Sequence, residues 1–174
     1  MSARPDSASK ARGAKSVPVR LRRAGADDCR QVWLWRNDEA TRAASFDTAP
    51  ISFATHQPWF HESLQCPDRH LYIVLADGHE AGVARLDVAG AIGTVSIHLS
   101  PAWRGRGVGP GALAALERIA FGPLGLRRME ARVKADNGAS LAAFQKAGFI
   151  AVDSKPPVSL AAAETNSGSA ARSH

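Results

Sequence analysis

Apolar and polar residues alternate at Val19-Arg20-Leu21-Arg22, and that two-residue period predicts a strand over 18–23. The period then lengthens. Cys29, Val32, Trp33 and Arg36 fall on one face of a helix over 26–36. Asp27 and Asp28 lie in its first turn, where the positive end of a helix dipole favours acids. Residues 39–50 read as a loop. Ser52, a good N-cap, opens a second helix running to Leu64 or Gln65, and Pro58 is expected to kink or shorten it. Three apolar runs follow, at 71–76, 81–88 and 94–100, separated by Asp77-Gly78 and Gly90, and they predict an antiparallel meander. A helix over 111–121 carries Leu113, Leu116 and Ala120 on one stripe and stops at Gly122-Pro123 and Gly125. A strand over 127–133, a helix over 139–146 closed by Gly148, and a strand over 149–152 complete the pattern. This order of elements predicts an α/β fold, a mixed sheet with helices packed on it.

Composition narrows the class. The chain has 174 residues and is 45% hydrophobic, which suits one domain with a full core. No apolar run approaches the roughly 18 residues of a membrane helix. Residues 1–17 are charged without an apolar centre, so they do not read as a secretory signal. Cys29 and Cys66 show no metal or redox spacing, and a reduced, cytoplasmic protein is the simple reading. No metal site is expected, because His56 and His61 are five apart and no His/Cys cluster exists. The net charge of +6 suggests nucleic acid until it is located. Residues 1–17 carry a net +3 and residues 154–174 a net +1. The body, 18–153, is left with a net +2, too little for a dedicated nucleic-acid domain. Residues 1–17 are thus read as a disordered basic tail and 154–174 as a low-complexity C-terminal tail.

Between the 94–100 strand and the helix after it stands Arg104-Gly105-Arg106-Gly107-Val108-Gly109. Glycines in a strand-to-helix turn let several N–H groups converge on one anion, and the helix end and two arginines add positive charge. Pro110 fits a first helical turn, where its missing N–H is not needed. The arrangement suits a pyrophosphate. No Gly-Lys-Ser/Thr follows, so it is not a Walker loop, and its glycine spacing differs from the dinucleotide fingerprint.

Two motifs together resemble the GNAT N-acetyltransferases. The loop fits the family pattern Arg/Gln-x-x-Gly-x-Gly/Ala as Arg104, Gly107 and Gly109, and about 30 residues later comes Asn137-x-x-Ser140-x-x-x-Phe144-x-Lys146-x-Gly148-Phe149. The resemblance implies a mostly antiparallel twisted sheet, splayed at one parallel strand pair, with helices on both faces. It implies acetyl-CoA in that gap as acetyl donor, without a metal. The amides of Gly105, Arg106, Gly107, Val108 and Gly109 would hold the pyrophosphate. Asn137, Ser140, Phe144 and Lys146 would lie along the donor, and the Leu99 backbone amide would face the pantetheine arm and acetyl carbonyl. Trp35-Arg36-Asn37, Ser45-Phe46, Ile51 and His56-x-x-Trp59-Phe60 are similar to a subgroup that acetylates nucleotide-sugar amines or the N-termini of ribosomal proteins.

Position 144 is often tyrosine in the family, acting as acid toward the departing thiolate, and Phe144 has no proton to give. Acid–base assistance is worth about 10²–10⁴-fold, so this implies a slower enzyme or another donor. Phe144 equally fits a core aromatic. The region where relatives carry a base is here Gly90-Ala91-Ile92-Gly93. His98 is the ionisable group of the strand itself, and a histidine pKa of about 6.5 suits deprotonating an ammonium. A structural histidine is the other reading, and Glu130 is a second candidate base. Arg36, Asn37 and Trp59 are the acceptor candidates: an arginine suits a phosphate, and an aromatic can stack a sugar or base. Trp33, Trp35 and Phe60 fit an acceptor wall or ordinary core.

The expected activity is acetyl transfer to a primary amine by direct attack, the acceptor being a small molecule or a nucleotide amino sugar. Acetylation of a protein N-terminus is the alternative among enzymes. A non-catalytic acyl-CoA-binding module is the alternative among binding proteins, and a nucleic-acid role through the basic tail ranks last. The last strand of the family sheet has only Val158-Ser159-Leu160 to form it, so it comes either from that stub or from a partner in a homodimer.

Overall fold

Asp77 and Gly78 form a two-residue turn that folds β2 (Arg69–Ala76) back on β3 (His79–Ala89), and Gly90 does the same between β3 and β4 (Ile92–Leu99). This is the expected meander, and the computed structural model, which describes residues 16–153 and 155–164, extends it to seven strands. With β1 (Val19–Arg23), β5 (Arg128–Val133), β6 (Ile150–Asp153) and β7 (Val158–Ala163), the sheet order is β1-β2-β3-β4-β5-β7-β6. Only β4 and β5 run parallel.

Alternation sends neighbouring residues of β2, β3 and β4 to opposite faces. One face, with Tyr72, Val74, Leu86 and Val95, packs on α4 (Val108–Phe121) through Ala112, Leu113, Leu116 and Ala120. On the other face Leu71, Ile73 and Val83 meet α1 (Cys29–Asn37) and α3 (Phe53–Gln65) through Cys29, Val32, Trp35 and Phe60. Each fully buried leucine or phenylalanine here contributes about 1.5–3 kcal/mol. The helices therefore cover both faces. Asp28 ties the 3-10 turn that precedes α1 to β1: both its oxygens accept from Arg22 at 2.8 Å, and one also accepts from the Gly25 N–H.

The parallel pair is short. Ile92–Thr94 lie opposite Arg128–Glu130, and the two strands then part, β4 continuing along β3 to Leu99 and β5 along β7 to Val133. Ser100 donates its N–H to Ala81 at 2.8 Å, so the even-numbered residues of β4 bond β3. The N–H groups of Ile97 and Leu99 are thereby turned toward the gap.

Several boundaries differ from those read in the sequence. The 39–50 segment contains a helix, α2 (Glu39–Ala44), whose N-cap Asp38 accepts from the Thr41 N–H. α3 runs through Pro58. α4 starts at Val108, three residues before the expected point, with Pro110 in its first turn. The boundary at 153 does not hold as the end of the sheet: β7 lies beyond it, bonded to β5 on one side and β6 on the other, so the last strand is this chain's own. Its alanines gave no sequence signal, and pairing on both sides makes it a strand. Residues 1–15 and 165–174, most of the two tails, lie outside the described residues, whereas Val17 packs against the larger core cluster. No helix among the described residues is long and apolar enough to cross a membrane.

Candidate functional site

After β4, one 3-10 turn (Pro101–Trp103) leads into Arg104–Gly107, and Gly107 is the N-cap of α4. Gly105 and Gly107 have φ of +69° and +76°, where other residues are strained. A Cβ at either would meet nothing within 4 Å, so backbone conformation, not crowding, calls for glycine. Val108 and Gly109 open α4, so their N–H groups have no intrahelical acceptor, and Pro110 has none to satisfy. The turn that follows β4 therefore presents unpaired backbone N–H groups together with the positive end of the α4 dipole, features that suit an anion.

The two arginines of the loop diverge. Arg106 is exposed and stacks on Trp103, 4.4 Å from the ring centroid. Arg104 turns back: its Nε donates to the Leu99 carbonyl at 3.0 Å, and its Nη2 donates to Thr41 Oγ1 at 2.8 Å and to Asp38 Oδ2. Arg104 thus ties the cap of α2 to the end of β4. The guanidinium beside Asp38 holds that carboxyl below its usual range.

Asn137 caps α5 (Gly138–Lys146), its Oδ1 accepting from the Ser140 N–H at 3.1 Å. α5 packs on the start of α4 through its second half, where a Cβ on Gly109 would lie 3.5 Å from Ala143 Cβ. Lys146 is exposed, whereas Phe144 is buried edge-on against Phe149 at 5.0 Å and belongs to the core.

On the opposite face of the sheet lies a cavity of about 320 Å³. α1 lends it Val32 and Arg36, and α3 lends Thr55, His56 and Trp59. The sheet closes it with Leu71, Val83, Arg85, Ser96 and His98. Register explains the grouping: Arg85 pairs with Ser96 and Val83 with His98, so all four face the same side. His98 is half-buried, and desolvation, reinforced by the charges of Arg36, Arg85 and Arg104, pushes its pKa down to about 4. It is neutral at pH 7 and a weaker base than an ordinary histidine.

The remaining sequence candidates separate. Arg36 and Trp59 line the cavity. Asn37 instead holds Ile51, its Nδ2 donating to the Ile51 carbonyl and its Oδ1 accepting from the Ile51 N–H, each at 2.8 Å. Trp33 Nε1 donates to the same carbonyl, while Trp35 and Phe60 are core. Glu130 pairs with Arg128. Arg85 went unread, since a lone arginine in an alternating strand looks like an outward residue. Only the register with His98 reveals where it points.

At this strand end the Leu99 N–H faces the gap, in the plane of the sheet, and the His98 ring faces the cavity on one side of it. Solved structures share this fold. A model of the acetyltransferase (GNAT) domain matches residues 19–150. The structure of aminoglycoside acetyltransferase AAC(6')-Ib in complex with coenzyme A superposes with a TM-score of 0.74 at 17% identity, over 84% of this chain and 95% of that one. Spermidine N-acetyltransferase from Vibrio cholerae, in complex with CoA and spermine, gives 0.71 at 16% identity over 78% and 83%. A domain from Methanocaldococcus jannaschii gives 0.74 at 14% identity over 84% and 99%. No curated protein matches the chain in sequence. At these identities the solved structures establish the fold, and the family match, from the first residue of β1 to the first of β6, establishes kinship: the chain belongs to the GNAT acetyltransferase family.

Proposed function

We propose that the protein transfers acetyl from acetyl-CoA to a primary amine by direct attack, the acceptor being a small molecule or the amine of a nucleotide amino sugar. The observation that carries the proposal is the strand end at His98 and Leu99. It lies between the gap, with a turn suited to an anion just after it in the chain, and a cavity that can admit an acceptor. The gap fits the donor, because β4 has N–H groups there with no strand to pair them and the glycine turn offers further backbone donors. When bound, acetyl-CoA supplies a thioester whose acyl carbon an amine can attack.

The chain's own residues then have distinct tasks. The amides from Gly105 to Gly109 hold the pyrophosphate, with Asn137, Ser140 and Lys146 beside the donor. The Leu99 N–H is aimed at the acetyl oxygen, where charge develops as the amine attacks; a fixed donor there is worth more than a mobile water. His98, neutral at pH 7, accepts a hydrogen bond from the amine and orients its lone pair. With a pKa of about 4 it hands the proton on to water instead of keeping it. Phe144 lies in the core, so the thiolate takes its proton from water. Much of the rate comes from holding two reactants at one strand end.

Calorimetry of the full-length protein with CoA, followed by thiol release across amines, UDP-amino sugars and peptides, tests the proposal. CoA binding and amine-dependent thiol release are expected. Failure to bind CoA refutes it, and binding without thiol release from any amine leaves an acyl-CoA-binding module. Turnover of peptides alone makes it a protein N-terminal acetyltransferase.

A further inference from the structure

The aminoglycoside and spermidine acetyltransferases to which the chain is similar in structure act on amines that carry further positive charge. The acceptor cavity of this protein is built with the opposite sign. Arg36 and Arg85 both reach it, and no aspartate or glutamate among the described residues lines it. Arg36 has no ion pair among the described residues: its Nη2 donates to the Asp47 backbone carbonyl at 3.0 Å, the Asp47 carboxylate favours its charge from beyond ion-pair distance, and its Nη1 is buried with no hydrogen-bond partner. Arg85 Nε is ion-paired with Asp87 Oδ2 at 2.8 Å. Asp87 is shared, since its Oδ1 accepts from Arg69 Nε at 2.7 Å. Two guanidiniums thus draw on one carboxylate, and Arg36 adds a third positive charge near the cavity.

We infer that Arg36 and Arg85 form an anion clasp, and that the acceptor is a compact amine bearing its own carboxylate or phosphate. The inference rests on the acetyl-transfer reading for the amine and on the cavity for the anion. A guanidinium presents planar, paired N–H donors that match either oxyanion, and a buried unsatisfied donor is a group that a ligand oxygen can complete. Both arginines also depress the pKa of His98, which marks the field at the amine's end of the cavity as positive. That field disfavours a second ammonium and favours an anion. About 320 Å³ is near the lower end for ligand pockets and holds a monosaccharide or amino-acid-sized body. A whole nucleotide sugar would leave its nucleotide outside.

Matched three-carbon amines isolate the second charge: 3-aminopropanol has none beyond its amine, β-alanine carries a carboxylate, 3-aminopropyl phosphate a phosphate and 1,3-diaminopropane a second cation. Glucosamine and glucosamine 6-phosphate repeat the comparison on a sugar, and spermidine and kanamycin extend the cationic arm. Each is measured by thiol release and by calorimetric titration into the CoA-saturated protein. At least one anionic arm is expected to exceed its counterpart without a second charge about tenfold in kcat/KM or affinity, the cationic arm being poorest. Whether carboxylate or phosphate leads identifies the anion. Arg85→Gln and Arg36→Gln should each collapse that preference about tenfold, and Arg85→Lys should keep part of it; circular dichroism selects the variants that fold. A cationic arm equal to or better than the anionic one overturns the clasp, as does a preference that survives both Gln substitutions. Acetyl transfer to an amine without a second charge, with no anionic preference, refutes the clasp and keeps the enzyme. Anion-selective, Arg85-dependent binding without thiol release does the reverse.

Discussion

His98 is placed to meet an amine and is too weak a base to keep its proton. In the unfolded chain it takes up a proton at its ordinary pKa of about 6.5, but in the folded protein only near 4. Between those values the unfolded state binds more protons, so stability falls as the pH drops through that window. Burial depresses His56 and His70 as well, and they act in the same direction. His98→Gln should therefore narrow the difference in urea midpoint between pH 7 and pH 5; an unchanged difference assigns the acid sensitivity to the other two. In activity, His98→Gln keeps an acceptor atom and should retain kcat/KM within about tenfold, while His98→Ala should lose more. The acid limb of the rate profile should be the same in the wild type and the Gln variant, since it belongs to the acceptor amine. A limb near pH 6.5 that vanishes in the variant would return His98 to the role of general base. The position of His98 could be read from the sequence. Its pKa could not, because the arginines that lower it come from three separate segments.

Among elements, the junction of β3 with β4 is the most exacting. A Cβ on Gly82 would come 2.2 Å from the His98 carbonyl oxygen and 2.9 Å from Leu99 Cα, backbone that cannot step aside. Gly82→Ala should cost about 1–3 kcal/mol, as overpacking does, and should also weaken CoA binding by displacing Leu99. A fall in Tm with CoA affinity unchanged would detach that strand end from the donor site. A second junction is the bridge from Asp38 through Arg104 to Leu99. Arg104→Ala should lower CoA affinity and lower Tm together, and Asp38→Ala should do the same more mildly; normal CoA affinity in both would make the bridge purely structural. The elements bounded by clear punctuation were legible: the meander between its glycine turns, α3 after Ser52, and the strand-turn-helix around Gly105 and Gly107. α2 was not, because six residues with little apolar pattern owe their helix to the Asp38 cap and to Arg104, 66 positions away.

At the scale of the whole molecule, β7 settles where the last strand comes from. The sequence offered only the stub Val158-Ser159-Leu160 and left a partner as the other source; the strand runs on through three alanines to Ala163, lies between β5 and β6, and among the described residues is the one strand that β6 pairs with. A chain ending at Asp153 should lose β6 with it and expose Met129, Ala131 and Val133 of β5, all buried in the native fold. It should be recovered largely insoluble or lacking a cooperative unfolding transition. A soluble, cooperative fragment would show that β7 is dispensable. The same topology has a mechanical side. β1–β4 form one plate and β5, β7 and β6 another, with three parallel rungs as the spine between them and α4 as the strap lying on β1, β4 and β5. The softest motion of such a body is a change of angle about that spine. Whatever occupies the gap touches both plates at the end farthest from the spine, where leverage is greatest. Filling it should damp the hinge, slowing amide exchange at Ile97 and Leu99 and on the facing edge of β5, far more than within either plate.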